Sequence, residues 1–392
     1  MKTLIRIVTM LLIFPAAHAA EGMWQPHQLP QLSGELKKLG LKAAPKSLND
    51  LVGHPMNAIV GLGHCSASFV SPEGLAVTNH HCVQRILQHN STTDDNLIED
   101  GYLAEEKSSE LSGGPGQRIL VTVQATDVSK SMLDGLAADM DGLERQKSLE
   151  AHEKELVAAC ESEDGYRCEV HSFYEGLSFY LIKQLEIRDV RLVYAPPRGI
   201  GDYGGDVDNW MWPRHTGDYS FIRGYVSPQG QPADFSVDNV PYRPEHYLTV
   251  STGGIRDGDF AMALGYPGRT YRHRLAAEAS EIGGWFYPLR QKLYEDMLKI
   301  IGRETAERDA AAIKYSSLLD GLNNVIKNYG GMIEGFARSG LVERKKGNER
   351  EFARWLEKQA GGSQGLDDLN TLISEYGANR ERRMIYRDFL RR

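Results

Sequence analysis

The sequence predicts a mainly β protein: a β-barrel system followed by a helical domain. Three observations predict it. Short runs of strand-forming residues recur between residues 55 and 268, each closed by a Gly, Pro or Ser turn. Residues 129–160 break that pattern with apolar positions at helical spacing. From about Arg274 onward the apolar spacing is heptad-like, with Glu, Lys and Arg between. Runs of strands followed by a run of helices indicate two domains.

In chain order, the first segment is a secretory signal. Lys2 and Arg6 form a positive start, Ile7 to Phe14 an apolar run, and Ala17-His18-Ala19 a small-residue cleavage site. The apolar run is too short to span a bilayer. A buried N-terminal helix is the alternative. Cleavage before Ala20 removes Lys2 and Arg6 and takes the net charge from −8 to −10. An acidic chain without a basic block argues against a nucleic-acid partner. No later stretch is long and apolar enough for a transmembrane helix. Residues 20–50, with Trp24 and several prolines, are expected to wrap a domain surface.

The four cysteines of an exported chain read as two disulfides, and spacing pairs Cys65 with Cys82 and Cys160 with Cys168. Between the first two lies a hairpin: Phe69 and Val70, a Ser-Pro-Glu-Gly turn, then Leu75, Ala76 and Val77. It ends in Thr78-Asn79-His80-His81-Cys82, so the disulfide fixes the loop that carries the histidines. A chymotrypsin-like serine protease holds its general base in this way. Residues 92–110 are polar and loop-like, anchored by Tyr102 and Leu103, and Arg118 to Val123 is a strand by composition. The helical insertion carries Met132, Leu136, Met140 and Leu143, then Leu149, Leu156 and Val157. Strands are expected again over Phe179–Ile182, Val190–Tyr194, Ser220–Val226 and Phe260–Leu264, the last closing on Gly265-Tyr266-Pro267-Gly268. The chain stops at Phe389-Leu390-Arg391-Arg392 inside a helical pattern with no stop signal, as expected of a chain cut within a domain.

Acyl transfer by a serine protease needs a base, an aspartate that fixes its tautomer, and a serine, in chain order His, Asp, Ser for the chymotrypsin arrangement. His81 is the candidate base because it directly precedes the hairpin cysteine; His80 is its competitor, with a structural role as the alternative. Neighbouring histidines on an extended segment point to opposite faces and chelate one metal ion poorly, so no metal is expected. No His-Glu-x-x-His run points to a metallopeptidase either. Asp218 runs straight into the strand at Ser220 and is the candidate orienter. Asp206 and Asp208 compete from a glycine-rich turn. The run Asn209-Trp210-Met211-Trp212-Pro213-Arg214-His215 reads as a cleft wall, whose asparagine accepts a peptide α-amine and whose indole closes the cleft end. For Trp212 a buried plug is expected. The third component is missing: Ser251, Ser339 and Ser363 stand nearest to a glycine-flanked serine, and none lies between a strand and an oxyanion turn.

These residues resemble the amino-terminal part of the bacterial dipeptidyl-peptidase 7/11 family of exported serine peptidases. The resemblance rests on Glu21-Gly22-Met23-Trp24, the Cys65-to-Cys82 hairpin, the run from Gly204 to Asp218, Gly265-Tyr266-Pro267-Gly268-Arg269-Thr270, and Asn324-Val325-Ile326-Lys327-Asn328. It implies a chymotrypsin-like double β-barrel with an inserted helical domain over the cleft, both incomplete here. The implied division is a signal peptide over 1–19, a protease domain over 20–273, and a cleft-covering helical domain over 274–392. It also implies release of dipeptides from the free amino end of peptides, in the periplasm or at the cell surface, and a homodimer when full length. No cofactor is implied. His81 and Asp218 match the family's catalytic histidine and aspartate. Asn209, Trp210 and Asn324 match positions that hold the α-amine and close the cleft, and Arg214 lies beside that group. The family's nucleophile belongs to a Gly-Asn-Ser-Gly setting that this sequence does not contain, so the 392 residues alone are expected to be inactive. A protease-like module that only binds peptide amino ends is the alternative function.

Overall fold

The computed structural model describes residues 23–137, 139–174, 176–268, 271, 273–359 and 362–387. The signal reading over 1–19, Glu21, Gly22, Arg269, Thr270 and the terminal Phe389 to Arg392 lie outside the described residues.

The described residues form one sheet of eleven strands. They are β1 (Ile59–Gly61), β2 (Ser66–Phe69), β3 (Leu75–Thr78), β4 (Tyr102–Leu103), β5 (Leu111–Ser112), β6 (Ile119–Asp127), β7 (Tyr166–Phe173), β8 (Ser178–Ile187), β9 (Asp189–Ala195), β10 (Ser220–Val226) and β11 (Val240–Pro241). Neighbours follow the order β4-β9-β10-β3-β2-β1-β6-β8-β7, with β5 also on β9 and β11 on β10. Each pairing is antiparallel. Burial alternates along β2 and β3, which places Ala67, Phe69 and Ala76 in the core. Ile119, Ile187, Leu192 and Ile222 meet them there, from four further strands.

The strand path is open rather than closed into the expected barrel. Its far edge is a ribbon of β6, β7 and β8, and the outer half of β6 turns to solvent. Helix α1 (Gly142–Cys160) covers that edge, capped by Asp141, whose Oδ1 accepts from the Leu143 amide at 2.9 Å. Val128, Met132 and Phe179 form a satellite core beneath it, with Leu149 and Leu156 contributed by α1. The Cys160–Cys168 disulfide joins the end of α1 to β7, as its spacing predicted.

The strand expected over Phe260–Leu264 does not form. The segment crosses the sheet without joining the ladder: Leu264 packs on the Leu29, Leu48 and Met56 cluster of the N-terminal wrap, and the Tyr266 amide donates to Ser66 Oγ at 2.7 Å. Polar ties inside the sheet are charged. Glu110 is buried, accepting from Arg223 Nε at 2.9 Å and from the Tyr225 hydroxyl at 2.8 Å. Burial first, and then the Glu110 carboxylate, raise Tyr225 well above the ordinary phenol value.

Beyond residue 275 the described chain is helical. Helix α2 (Tyr287–Thr305) packs along α3 (Asp309–Ser339), joined by an aromatic seam in which Tyr287 and Tyr329 stand 4.8 Å apart. Helices α4 (Leu341–Leu356) and α5 (Gln364–Ala378) follow. They leave Phe352, Trp355, Leu372 and Tyr376 exposed. No described helix is long and apolar enough to cross a membrane.

Candidate active site

The register of two strands builds the centre of the site. β3 and β10 pair with Thr78 opposite Ser220. Because the pair is antiparallel, the residues after Thr78 and those before Ser220 emerge at the same end of the sheet. His81 is three positions past that pair and Asp218 two before it, on either side of one strand boundary. The Cys65–Cys82 disulfide fastens the turn that carries His81 to the start of β2.

The result is a histidine–carboxylate pair. His81 Nδ1 lies 2.9 Å from Asp218 Oδ2, and the His81 amide donates to Asp218 Oδ1 at 3.1 Å. Asn79 Nδ2 also donates to Oδ2 at 3.2 Å. Burial by itself raises the Asp218 carboxyl, but the His81 ring and the His81 and His80 amides outweigh it and hold the group below the ordinary carboxylate range. Asp218 is 19% exposed and His81 65% exposed, so the far nitrogen of the ring, Nε2, faces outward. A carboxylate fixed at Nδ1 leaves Nε2 as the proton acceptor, which is the arrangement of a general base.

His80 takes the opposite position. It is buried, and burial lowers its proton affinity. Its Nε2 has no hydrogen-bond partner among the described residues, and its ring lies against Gly201, where a Cβ would stand 2.5 Å away. Asp206 and Asp208 lie in the single turn Gly205–Asp208, and the carboxylate bonded to His81 is Asp218. Among the described residues, one group of ligand atoms lies close enough to share a metal ion: Cys65, His81 and Cys82. Its sulfurs are joined in the disulfide and are not available as thiolates.

A second constellation joins the loop after β9 to α3. Asn209 Nδ2 donates to Asn324 Oδ1 at 3.0 Å, and Trp210 Nε1 donates to the same oxygen at 3.1 Å. Arg214 Nη1 donates to Asn209 Oδ1 at 3.2 Å, and its other terminal nitrogen lies 3.5 Å from Asp202. Lys327 Nζ reaches the Val207 carbonyl at 2.9 Å. Trp210 has φ +58°, in the left-handed region that costs a bulky residue of order 1–3 kcal/mol. Its indole bonds to Asn324 help hold it there. Asn209, Trp210, Arg214 and Asn324 therefore form one hydrogen-bonded group.

Trp212 departs from expectation. It is 93% exposed rather than a buried plug, because the loop turns its neighbour Trp210 toward α3 and leaves Trp212 on the open side. The sequence reading also missed the charges behind Arg214. Arg198 bridges Glu99, Asp202 and Asp320, and its partners outweigh burial to raise its proton affinity. Burial raises the Asp320 carboxyl. The signal was weak: Arg198 follows Pro196-Pro197, but its partners stand up to 122 positions away. Ser251 is exposed in a loop, Ser339 ends α3, and Ser363 precedes α5 and donates to Asp367. Among the described residues no serine hydroxyl hydrogen-bonds His81.

Comparison with known proteins identifies the family of the chain. A family described as Peptidase S46 matches residues 19–392. An Asp/Glu-specific dipeptidyl-peptidase of Shewanella putrefaciens is 42% identical over 373 residues, covering 94% of this chain and 50% of the relative. Dipeptidyl-peptidase 7 of Porphyromonas gingivalis is 33% identical over 388 residues, covering 94% of this chain and 52% of the relative. The crystal structure of Porphyromonas endodontalis DPP11 in complex with the dipeptide Arg-Glu superposes with a TM-score of 0.86 at 32% identity, covering 93% of this chain and 53% of that one. The chain thus spans about half the length of the curated relatives it matches. With the family matched from residue 19 to the last residue, the chain belongs to the Peptidase S46 family.

Proposed function

We propose that this chain supplies the base, its orienting carboxylate and the amine clamp of a serine dipeptidyl-peptidase that removes dipeptides from the free amino end of peptides. The observation that carries the reading is the 2.9 Å contact of His81 Nδ1 with Asp218, which leaves Nε2 outward. In this reaction His81 Nε2 takes the proton of a serine hydroxyl as that oxygen attacks the carbonyl of the second residue. The imidazolium then gives the proton to the leaving amine, and the acyl-enzyme is hydrolysed with His81 acting as base on water. Asp218 keeps the proton on Nδ1 and stabilises the imidazolium. None of Ser251, Ser339 and Ser363 is assigned as that serine, and the 392 residues by themselves are expected to lack turnover.

Asn209, Asn324 and Trp210 hold the substrate's α-amine and close the cleft, while Arg214, itself held by Asp202, positions Asn209. A clamp at a fixed distance from the base makes the enzyme an exopeptidase that counts two residues. We further propose that the open sheet belongs to a chymotrypsin-like double barrel. In this division residues 20–273 are the protease domain, and 274–392 the helical domain that covers the cleft. The full-length enzyme is a homodimer, exported by a signal at 1–19 to the periplasm or cell surface, where both disulfides persist.

The test is turnover of a chromogenic dipeptidyl substrate by the full-length protein and by its His81→Ala variant. Dipeptide release abolished by the substitution is the expected result. Undiminished release by His81→Ala, or none by the full-length protein, overturns the reading.

A further inference from the structure

Helix α3 runs along the cleft as a rail. Its polar contacts with the β body come from Lys314, Ser317, Asp320, Asn324 and Lys327, which share one helical face. Asn324 sits at the amine clamp, whereas the Lys314 carbonyl accepts from Gln88 of α6 (Gln84–Asn90), the helix that directly follows His81 and its turn. Ten positions separate Asn324 from Lys314, about 15 Å of helix. A dipeptide from α-amine to scissile carbonyl spans at most about 7 Å. Lys314 therefore lies farther from the amine clamp than the scissile carbonyl of a bound dipeptide, next to the helix that follows His81.

A cavity of about 620 Å³ opens there. His64, Arg85, His89 and Lys314 line it, with the loop 113–117 as its floor, and no acidic residue does. The cavity adjoins the base: His64 hydrogen-bonds the backbone of Cys82, the residue after His81, and feels the charges of Arg85 and His81. Burial first, then those charges, lower the proton affinity of His64. Arg85 and Lys314 are the arginine and the lysine of the wall. Neither has a carboxylate within 4.0 Å among the described residues. Gly114 has φ +76°, and a Cβ there would stand 2.9 Å from the His89 ring, so only glycine lets the loop lie flat beneath the cavity.

We propose that this cavity is the subsite for the peptide beyond the scissile bond, and that Arg85 and Lys314 select acidic side chains at its third and fourth residues. The inference rests on the dipeptidyl-peptidase reading and adds a second specificity, read on the leaving side of the cut. Exposed charge pairs change binding about two- to fivefold each.

The test is competition between hexapeptides with the same first two residues and Asp-Asp, Ala-Ala or Lys-Lys at positions three and four. Full-length enzyme digests them, and mass spectrometry follows the release. The expected order of kcat/KM is Asp-Asp, Ala-Ala, Lys-Lys, with about fivefold or more between the extremes. The ratio should shrink as salt is raised. Arg85→Glu and, separately, Lys314→Glu should move the preference toward Lys-Lys, a reversal that lost folding cannot mimic. Equal rates for the three peptides, or an acidic preference retained by both variants, overturn the proposal. In those cases continued turnover of a chromogenic dipeptidyl substrate leaves the dipeptidyl-peptidase reading standing; no dipeptide release from any substrate removes both.

Discussion

Replacing Asp218 with Asn tests the site at its most constrained point, because the side chain keeps its shape and changes only its hydrogen-bonding character. Both carboxylate oxygens are acceptors in the structure. Oδ1 takes the His81 amide at 3.1 Å, and Oδ2 takes His81 Nδ1 at 2.9 Å and Asn79 Nδ2 at 3.2 Å. An amide has one oxygen and one NH2. With the NH2 at the Oδ1 position it meets a backbone N–H that cannot reverse. The stable orientation therefore puts the NH2 against Nδ1, which must then accept. The ring proton moves to Nε2, and the base is lost. The Asn79 amide stays in place, because its NH2 also donates to the Asp218 carbonyl at 3.1 Å, so its bond to the replaced side chain is lost along with the tautomer. Loss of charge-assisted bonds costs at most about 1.5–3 kcal/mol, less at this partly exposed site. In the serine-protease template, loss of the correct tautomer costs about 10⁴ in kcat. The assay is kcat of full-length Asp218→Asn on a dipeptidyl reporter, with the His81 tautomer read from nitrogen chemical shifts. A kcat within tenfold of the parent, or a proton retained on Nδ1, refutes the argument.

Asn209→Ala should chiefly weaken recognition of the free α-amine, so kcat/KM falls for free peptides but little for amino-acetylated ones; equal effects on both would deny it that role. Gly201→Ala drives a methyl to within 2.5 Å of the buried His80 ring, and should cost about 1–3 kcal/mol in a denaturant titration; an unchanged midpoint would mean that the ring moves freely. Glu110→Ala strands the buried Arg223 guanidinium, at a cost of about 3–5 kcal/mol, readable as a fall in melting temperature. His80 has a folded value below its ordinary 6.5, so the unfolded chain binds the proton more readily. Stability is then level above that pH and declines as pH falls through about 6.5. His80→Leu should flatten this decline, and an unaltered pH profile of the melt would contradict the assignment. Asp218 is likewise held below its ordinary value of 3.8, so its contribution is present above that pH and is lost only as the pH falls further into the acid range.

Much of the site is local in the sequence. The hairpin, its disulfide and the histidine before the second cysteine lie within 18 consecutive residues, so likeness to the chymotrypsin hairpin points to His81 over His80. Asp218 is legible because an acidic residue entering a strand can be read without knowing its partner. The helical part is legible because its apolar spacing repeats over many turns. The expected strand at Phe260–Leu264 failed because composition marks a residue's fit to a sheet, while a ladder needs a free neighbouring edge. The exposure of Trp212 failed for a similar reason: hydrophobicity states what burial is worth, and packing decides which of two nearby indoles receives it. By itself, then, the sequence determined the family and pointed to His81 and Asp218 as the candidate base and carboxylate. Only the tertiary structure decided that β3 and β10 pair in the register that brings Asp218 to His81, and that α3 meets Asn209 and Trp210 across 114 or more positions. It also set Arg85 and Lys314 around one cavity. Those contacts depend on the folded path of the chain, which short-range patterning does not encode.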